Sequence, residues 1–434
     1  RLGIGEAFVR YWYSDEDRER QAALARRAVG WLVVATTLAC GVLAALAGPL
    51  SKLVLVHRDV TTFLIAVLGL WAFTNLELAY ALLRVDERLR TYATASLINV
   101  GITIGASVAL VVFLGQGASG LLLGNYGAST LVLLGLWWTM RDRLAPRHHA
   151  GVEPHGVLLR FGLPTVPAEA SVYALSIVDR YYIFHHGPSG PRLAGLYSIA
   201  VKLAGGVALI VRAFQYAFPP LAYSVRDDAE AARLYGLVTT YYLLVSGLVV
   251  AGLALLGRWV LRLLAAPSFY GAYKALPWVA LGWALYGLWV VFMVIAGRAK
   301  VTTRNFAAAL AGLIVNVVLI ILLVPPLGIA GAGVALCGAY VVMIAVMHFL
   351  TRRAFAASFE WLRLAKLAVV LGGMSAAGDL LLPTSGFVGL ISRAAVLAAI
   401  PLVLLATGFT HSQERNQARV LLARARRGIA REPA

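Results

Sequence analysis

The sequence predicts an all-α polytopic membrane protein with twelve transmembrane helices: two six-helix lobes, the first lacking its first two helices here, and two additional C-terminal helices. Three observations predict it. The 434 residues are 60% apolar and 13% charged, where a soluble domain runs near half and a quarter, so the surplus apolar surface must face lipid. No globule of this size hides so much apolar area from water, which excludes a soluble enzyme, a disulfide scaffold and a disordered chain. The apolar residues also fall into twelve bilayer-length runs, and the pattern recurs at an offset near 210 residues.

Crossing the hydrocarbon takes about 20 residues as a helix, and only helices or closed barrels satisfy their backbone in lipid. The runs cover residues 28–50, 60–83, 92–114, 118–140, 157–183, 193–218, 234–256, 274–297, 305–325, 328–350, 364–382 and 387–409. Barrel strands would be half as long and would alternate polar with apolar. Cytoplasmic connections hold the excess of Lys and Arg. One alternating set of connections carries 25 of them, while the other carries seven, namely Lys52, Arg58, Arg180, Arg192, Arg258, Arg262 and Lys274. Both visible ends are therefore expected on the cytoplasmic side of an inner (cytoplasmic) membrane.

The net charge of +18 would suggest nucleic acid in a soluble chain, but these cations sit between apolar runs, so no nucleic-acid partner is expected. Cys40 and Cys337 lie inside apolar runs with no cysteine nearby, which reads as two small core residues rather than a disulfide or thiolate metal site. The chain opens at Arg1 with no visible signal peptide and reads as a fragment or a processed chain.

Internal repetition matters because a duplicated transporter places its site at the repeat interface. Tyr13, Ser14, Asp17, Ala22 and Leu24 match Tyr223, Ser224, Asp227, Ala232 and Leu234 at offset 210, as do Arg88 and Arg90 with Arg298 and Lys300. Gly117, Gly120 and Gly127 meet Gly328, Gly331 and Gly338 at offset 211. The first four spans thus fall on the seventh to tenth, leaving the fifth and sixth without a counterpart. The expected organisation is an incomplete N-terminal lobe over 1–150, a C-terminal lobe over 151–355, two further helices over 356–410 and a basic cytoplasmic tail over 411–434. An even number of spans per repeat relates the lobes by an axis along the membrane normal, with a central cavity between them.

Four stretches carry a family resemblance: Leu2 to Tyr11 (LGIGEAFVRY), Leu159 to Tyr182 (LRFGLPTVPAEASVYALSIVDRYY), Ala194 to Ala204 (AGLYSIAVKLA) and Gly312 to Ala335 (GLIVNVVLIILLVPPLGIAGAGVA). In their order and spacing the chain resembles the oligosaccharide (O-antigen and exopolysaccharide) flippases of the multidrug/oligosaccharidyl-lipid/polysaccharide exporter superfamily. The likeness extends to about residue 350, and the last two helices share only position and apolarity. It implies translocation of a polyprenyl-diphosphate-linked oligosaccharide by alternating access, for cell-surface polysaccharide biosynthesis, beside a polysaccharide polymerase and glycosyltransferases. The departure is the first two helices, which in relatives help line the cavity and which this chain does not show.

Charges inside a bilayer cost several kcal/mol unless paired or solvated, so each is a candidate for function. Lys202 and Arg212, read on one continuous sixth helix, lie about 80° apart on a broad face, and Gln215 extends the polar stripe. Arg offers a planar fork and Lys a point charge to a diphosphate; the plainer reading has Lys202 snorkelling and Arg212 anchoring near an interface. Asp179 and Arg180 point about 100° apart on the fifth helix and cannot simply neutralise each other. They are candidates for the substrate site, against an interfacial anchor. Glu77, beside Asn75, is the candidate ion-coupling carboxylate, with Arg84 as a loose structural partner along the same face. Glu169 and Asp379 are weaker and read as hydrogen-bonding within the bundle.

Pro164 and Pro167 are expected to bend the fifth helix, and Pro219 and Pro220 to end the sixth. Gly328, Gly331 and Gly333 follow no strand and form no GxxxxGK[ST], so they read as close helix packing. His148 with His149, and His185 with His186, have no Cys or carboxylate at ligand spacing, so neither metal nor cofactor is expected. The tail mixes six arginines with Val420, Leu421, Leu422 and Ile429 and reads as an amphipathic helix on anionic membrane lipid. Three rivals stand beside the flippase: a drug/cation antiporter of the same superfamily, which calls for an acidic pocket; a membrane glycosyltransferase, for which the connections at Gly115–Ser119 and Pro383–Gly386 are too short; and a scaffold subunit without transport.

Overall fold

A computed structural model of the chain describes residues 8, 12, 18–55, 59–141, 165–185 and 189–410, with side chains except at 18, 53–55 and 165–169. Among these residues all regular structure is helical. The chain divides into unit 1, Arg1–Val166, and unit 2, Pro167–Ala434. The two additional helices fall in unit 2, where they pack on one of its long helices.

Unit 1 holds α1 (Arg18–Ala45), α2 (Ala47–Leu55), α3 (Val60–Val85), α4 (Leu89–Val108) with a π-helical turn at Ala109–Phe113, and α5 (Gly117–Thr139). Lipid tails are as apolar as leucine, so helices here associate by close packing and hydrogen bonds rather than by hydrophobic burial. The packed core runs through Leu32, Leu76, Leu83, Leu133 and Leu136. Asn75 Nδ2 ties α3 to α1 by donating to Thr36 Oγ1 at 3.0 Å, as well as to Trp71 O at 2.8 Å. α3 starts at a cap in which Asp59 accepts from the Thr62 backbone at 2.9 Å, satisfying a free first-turn N–H.

Unit 2 holds α6 (Thr165–His185), α7 (Gly190–Leu203), α8 (Gly205–Ser224), α9 (Asp228–Leu264), a 3-10 helix (Pro267–Lys274), α10 (Leu276–Arg298), α11 (Arg304–Leu327), α12 (Ile329–Thr351), α13 (Trp361–Leu381) and α14 (Gly386–Ala406). Ten helices of the described residues are long and apolar enough to cross a membrane, and α7 with α8, bent by 46° at their junction, pass the same test when taken together. The fifth expected run, 157–183, is helical over its described part from Thr165 to His185, which is not among the helices that pass the same test and carries Asp179 and Arg180 in its second half.

The repeat is written into the packing. In unit 1, α1 packs on α3 and α5 packs on both α3 and α4; in unit 2 the pairs α9 with α10, α10 with α12, and α11 with α12 repeat the pattern. The turn after α3 puts Glu87 at φ 58 and bonds Arg88 N to Leu83 O at 2.9 Å. The turn after α10 puts Lys300 at φ 58 and bonds Val301 N to Ala296 O at 2.9 Å, the same left-handed helix closure. Gly115 at φ 62 and Gly328 at φ 59 open the next connection in each unit, where a side chain would be strained.

Two expectations change. The sixth span breaks at Ala204, so Lys202 and Arg212 lie on different helices and their 80° separation on one wheel does not hold. Pro219 and Pro220 lie inside α8, which runs on to Ser224. Pro167 lies within the described α6, and the residues that precede Thr165 lie outside the described residues. Pro164, the side chain of Glu169, His148, His149, His186 and the tail from His411 lie outside the described residues.

Candidate functional site

The site residues of unit 2 gather on α6, α7 and α8 and on the helices these pack against. The break that places them follows Leu203: two consecutive glycines, Gly205 and Gly206, carry no side chain to hold the helix straight, and the backbone turns there. Lys202 ends α7 and Arg212 lies two turns into α8; both are exposed, and neither has a hydrogen-bond or ion-pair partner among the described residues. Gln215 is half-buried and donates to Tyr286 Oη at 3.0 Å, which ties α8 to α10. It braces the bend rather than extending a free polar stripe.

On α6, the neighbours Asp179 and Arg180 diverge as the 100° rotation per residue requires. Arg180 is exposed, while Asp179 is 1% exposed. Asp179 Oδ2 accepts from the Tyr197 hydroxyl of α7 at 2.9 Å, whereas Oδ1 has no partner. The Asn316 amide of α11 lies beside the carboxyl without closing a hydrogen bond, and both its Oδ1 and Nδ2 are buried and unpaired. Tyr340 and Cys337 of α12 lie within the field of the same carboxyl. The Cys337 thiol donates to Trp278 O at 3.1 Å, as a core residue would. An ionised carboxylate with one oxygen left unpartnered in so dry a place is costly, which makes this group a candidate for taking up a proton or a small cation. No group of three or more His, Cys, Asp or Glu is assembled among the described residues.

In unit 1, Glu77 is half-buried on α3. It lies in the field of Tyr80, whose hydroxyl is close to Ser96 and Asn99. Arg84, one face along, has its guanidinium 5.5 Å over the Tyr92 ring.

Two arginines that the sequence reading left unassigned organise unit 2. Arg393, 0% exposed, donates to Asp379 Oδ1 at 3.0 Å and to the carbonyls of Leu255, Asp379, Leu382 and Pro383 at 3.1–3.3 Å. It pins the α13–α14 hairpin to α9 and gives Asp379 the bundle-holding role expected of it. The signal was available: Arg393 is the lone charge in the run 387–409. Arg298, at the end of α10, donates to the Ala222, Val225 and Arg226 carbonyls and to Asp228 at 2.7 Å. These bonds satisfy the Ala222 carbonyl in the last turn of α8 and the Val225 and Arg226 carbonyls that follow it.

Known structures share this fold. The chain superposes on the lipid II flippase MurJ in an inward closed conformation with a TM-score of 0.66 and 15% identity, covering 94% of this chain and 88% of that one. A transporter of the MOP superfamily from Pyrococcus furiosus gives 0.64 at 13% identity, covering 84% of each chain. The Vibrio cholerae MATE transporter VcmN gives 0.66 at 13% identity, covering 81% of this chain and 84% of that one. Identities this low show the fold alone, which a lipid flippase and multidrug transporters have in common. No curated protein matches the chain. A sequence-family model described as polysaccharide biosynthesis protein matches residues 3–272, more than half of the 434. The chain belongs to the polysaccharide biosynthesis protein family, and it shares its fold with the lipid II flippase MurJ and with transporters of the MOP superfamily.

Proposed function

We propose that the protein is a flippase that carries a polyprenyl-diphosphate-linked oligosaccharide across the cytoplasmic membrane by alternating access, with the tail on the cytoplasmic side. One observation carries this reading over the antiporter. On α6 to α8 the exposed charges within or beside the span are cations, Arg180, Lys202 and Arg212, while the described acid, Asp179, is buried. A diphosphate suits that array; a cationic drug does not. The spans and the cation bias support the membrane placement.

Asp179 is too enclosed to meet a saccharide, so we assign it to coupling: a proton or small monovalent cation taken up between Asp179 and Asn316 neutralises the carboxyl and favours one conformation over another. Glu77 remains a second coupling candidate in unit 1. No covalent step is proposed. A polysaccharide polymerase and glycosyltransferases are the expected neighbours, one supplying the lipid-linked substrate and the other consuming it.

The test is translocation of a fluorescent polyprenyl-diphosphate oligosaccharide in proteoliposomes. A charge-assisted phosphate contact contributes about 1.5–3 kcal/mol, so Arg212→Ala is expected to weaken substrate affinity by roughly ten- to a hundredfold, and Lys202→Ala by less. Unchanged transport in the double variant refutes the cationic site.

A further inference from the structure

The end of unit 2 opposite its Arg298 end is basic where the orientation rule asks for few cations. It holds Arg192 at the start of α7, Arg258 and Arg262 near the end of α9, Lys274 closing the 3-10 helix, and Arg393. Among the described residues of this end one acid, Asp379, stands against them, and Arg393 already engages it at 3.0 Å. Arg258 reaches Asp379 only at 3.9 Å and keeps a quarter of its side chain exposed. Its guanidinium instead stacks on Tyr273 of the 3-10 helix, 4.3 Å from the ring centre. Arg192, Arg262 and Lys274 are exposed and have no partner among the described residues.

The fold brings these groups together and lifts them out of the hydrocarbon. α9 has 37 residues, about 55 Å at 1.5 Å each, against a hydrocarbon core of about 30 Å. Arg258 and Arg262 are one turn apart and share a face. Gly271, in the 3-10 helix, lies against Leu196 of α7, one turn from Arg192, so both sides of that short helix are flanked by cations. Phe269 is exposed beside Tyr270 and Tyr273.

We propose that this end is a landing surface for the diphosphate–sugar head of the lipid after it reaches the outer leaflet, an inference that rests on the flippase reading above. Arg258, Arg262 and Lys274 spread their charge over more than one phosphate, and the Tyr273 ring that carries Arg258 offers an aromatic face to the first sugar. A glycerophospholipid headgroup, with one phosphate and no sugar ring, uses only part of it. The surface favours release on this side by holding the head before it diffuses away, and it is separate from Arg212 and Lys202.

The experiment uses the whole protein in phosphatidylcholine nanodiscs, titrated with a short-chain fluorescent polyprenyl-diphosphate sugar and, separately, with phosphatidylglycerol. Arg258→Gln with Arg262→Gln and Lys274→Gln is expected to lower affinity for the diphosphate sugar at least tenfold while phosphatidylglycerol binding changes less than twofold. Arg262→Glu with Lys274→Glu, at two exposed positions without a hydrogen-bond or ion-pair partner among the described residues, should reproduce the loss if the triple variant folds poorly. Equal losses for both lipids, or wild-type affinity in both variants, overturn the landing surface. A wild-type protein that translocates the diphosphate lipid while the variants bind it normally sinks this proposal alone; a wild-type protein that neither binds nor moves the lipid sinks the flippase reading with it.

Discussion

Arg393→Met removes the guanidinium at the junction of α9, α13 and α14 while keeping most of the side-chain volume. The wild-type group makes five polar contacts at 3.0–3.3 Å, to Asp379 Oδ1 and to the carbonyls of Leu255, Asp379, Leu382 and Pro383. Leu382 and Pro383 lie past the end of α13, so no helical N–H replaces the lost donor. Hydrogen bonds between membrane helices average about 0.6 kcal/mol each, which for five gives about 3 kcal/mol. Removing one partner of a fully desolvated pair costs about 3–5 kcal/mol. Asp379 is 52% exposed and therefore partly solvated once abandoned, so the lower figure is the better one. Thermal unfolding in detergent should fall by several degrees, with faster hydrogen exchange confined to the amides around 380–386. Arg393→Lys, which keeps the charge but loses the fork, should fall between the two. A variant with wild-type melting and exchange would refute the claim that this arginine anchors the hairpin.

Asp179→Asn preserves an acceptor for the Tyr197 hydroxyl but cannot take up a proton or cation, so substrate should still move downhill while the rate loses its response to an imposed ion gradient; a response equal to wild type would return the coupling role to Glu77. Gly328→Ala forces a side chain into φ 59, ψ −137 at the tight α11–α12 connection and should cost about 1–3 kcal/mol, read as a lower unfolding temperature. The two hydrogen bonds from Thr62 hold the Asp59 carboxyl below the usual carboxylate range. Its cap therefore stabilises α3 fully above the unfolded-chain value and is lost as pH falls through the lower folded value. The melting difference between wild type and Asp59→Ala should accordingly shrink in acid and be constant near neutrality.

The spans were legible because a charge-free run of about 20 residues has few alternatives in a cell. The duplication was legible because Asp227, Arg298 and the loop glycines recur in connections where apolarity imposes no pattern. The break at Ala204 was missed, although Gly205 and Gly206 announce it, because an apolar run reads as one helix whether or not it bends. α9 extends past the run 234–256 at both ends because residues outside the hydrocarbon, such as Asp228 and Arg258, stay helical without being apolar. Burial was the least legible property: adjacent Asp179 and Arg180 look alike in the sequence, and only the packing of Tyr197 and Asn316 separates the enclosed acid from the exposed cation. Arg393 shows the same limit, since a lone cation in a span gives no sign in the sequence of the five acceptors that surround it.

The central claim is the class of cargo. Proteoliposomes holding the protein, loaded in parallel with a fluorescent polyprenyl-diphosphate oligosaccharide or a cationic dye under one imposed ion gradient, test it most directly. The account predicts that the lipid-linked head crosses to the opposite leaflet, that the gradient changes its rate, and that the dye stays in place. Dye efflux without movement of the lipid would contradict it and assign the exposed cations of α6 to α8 a structural role.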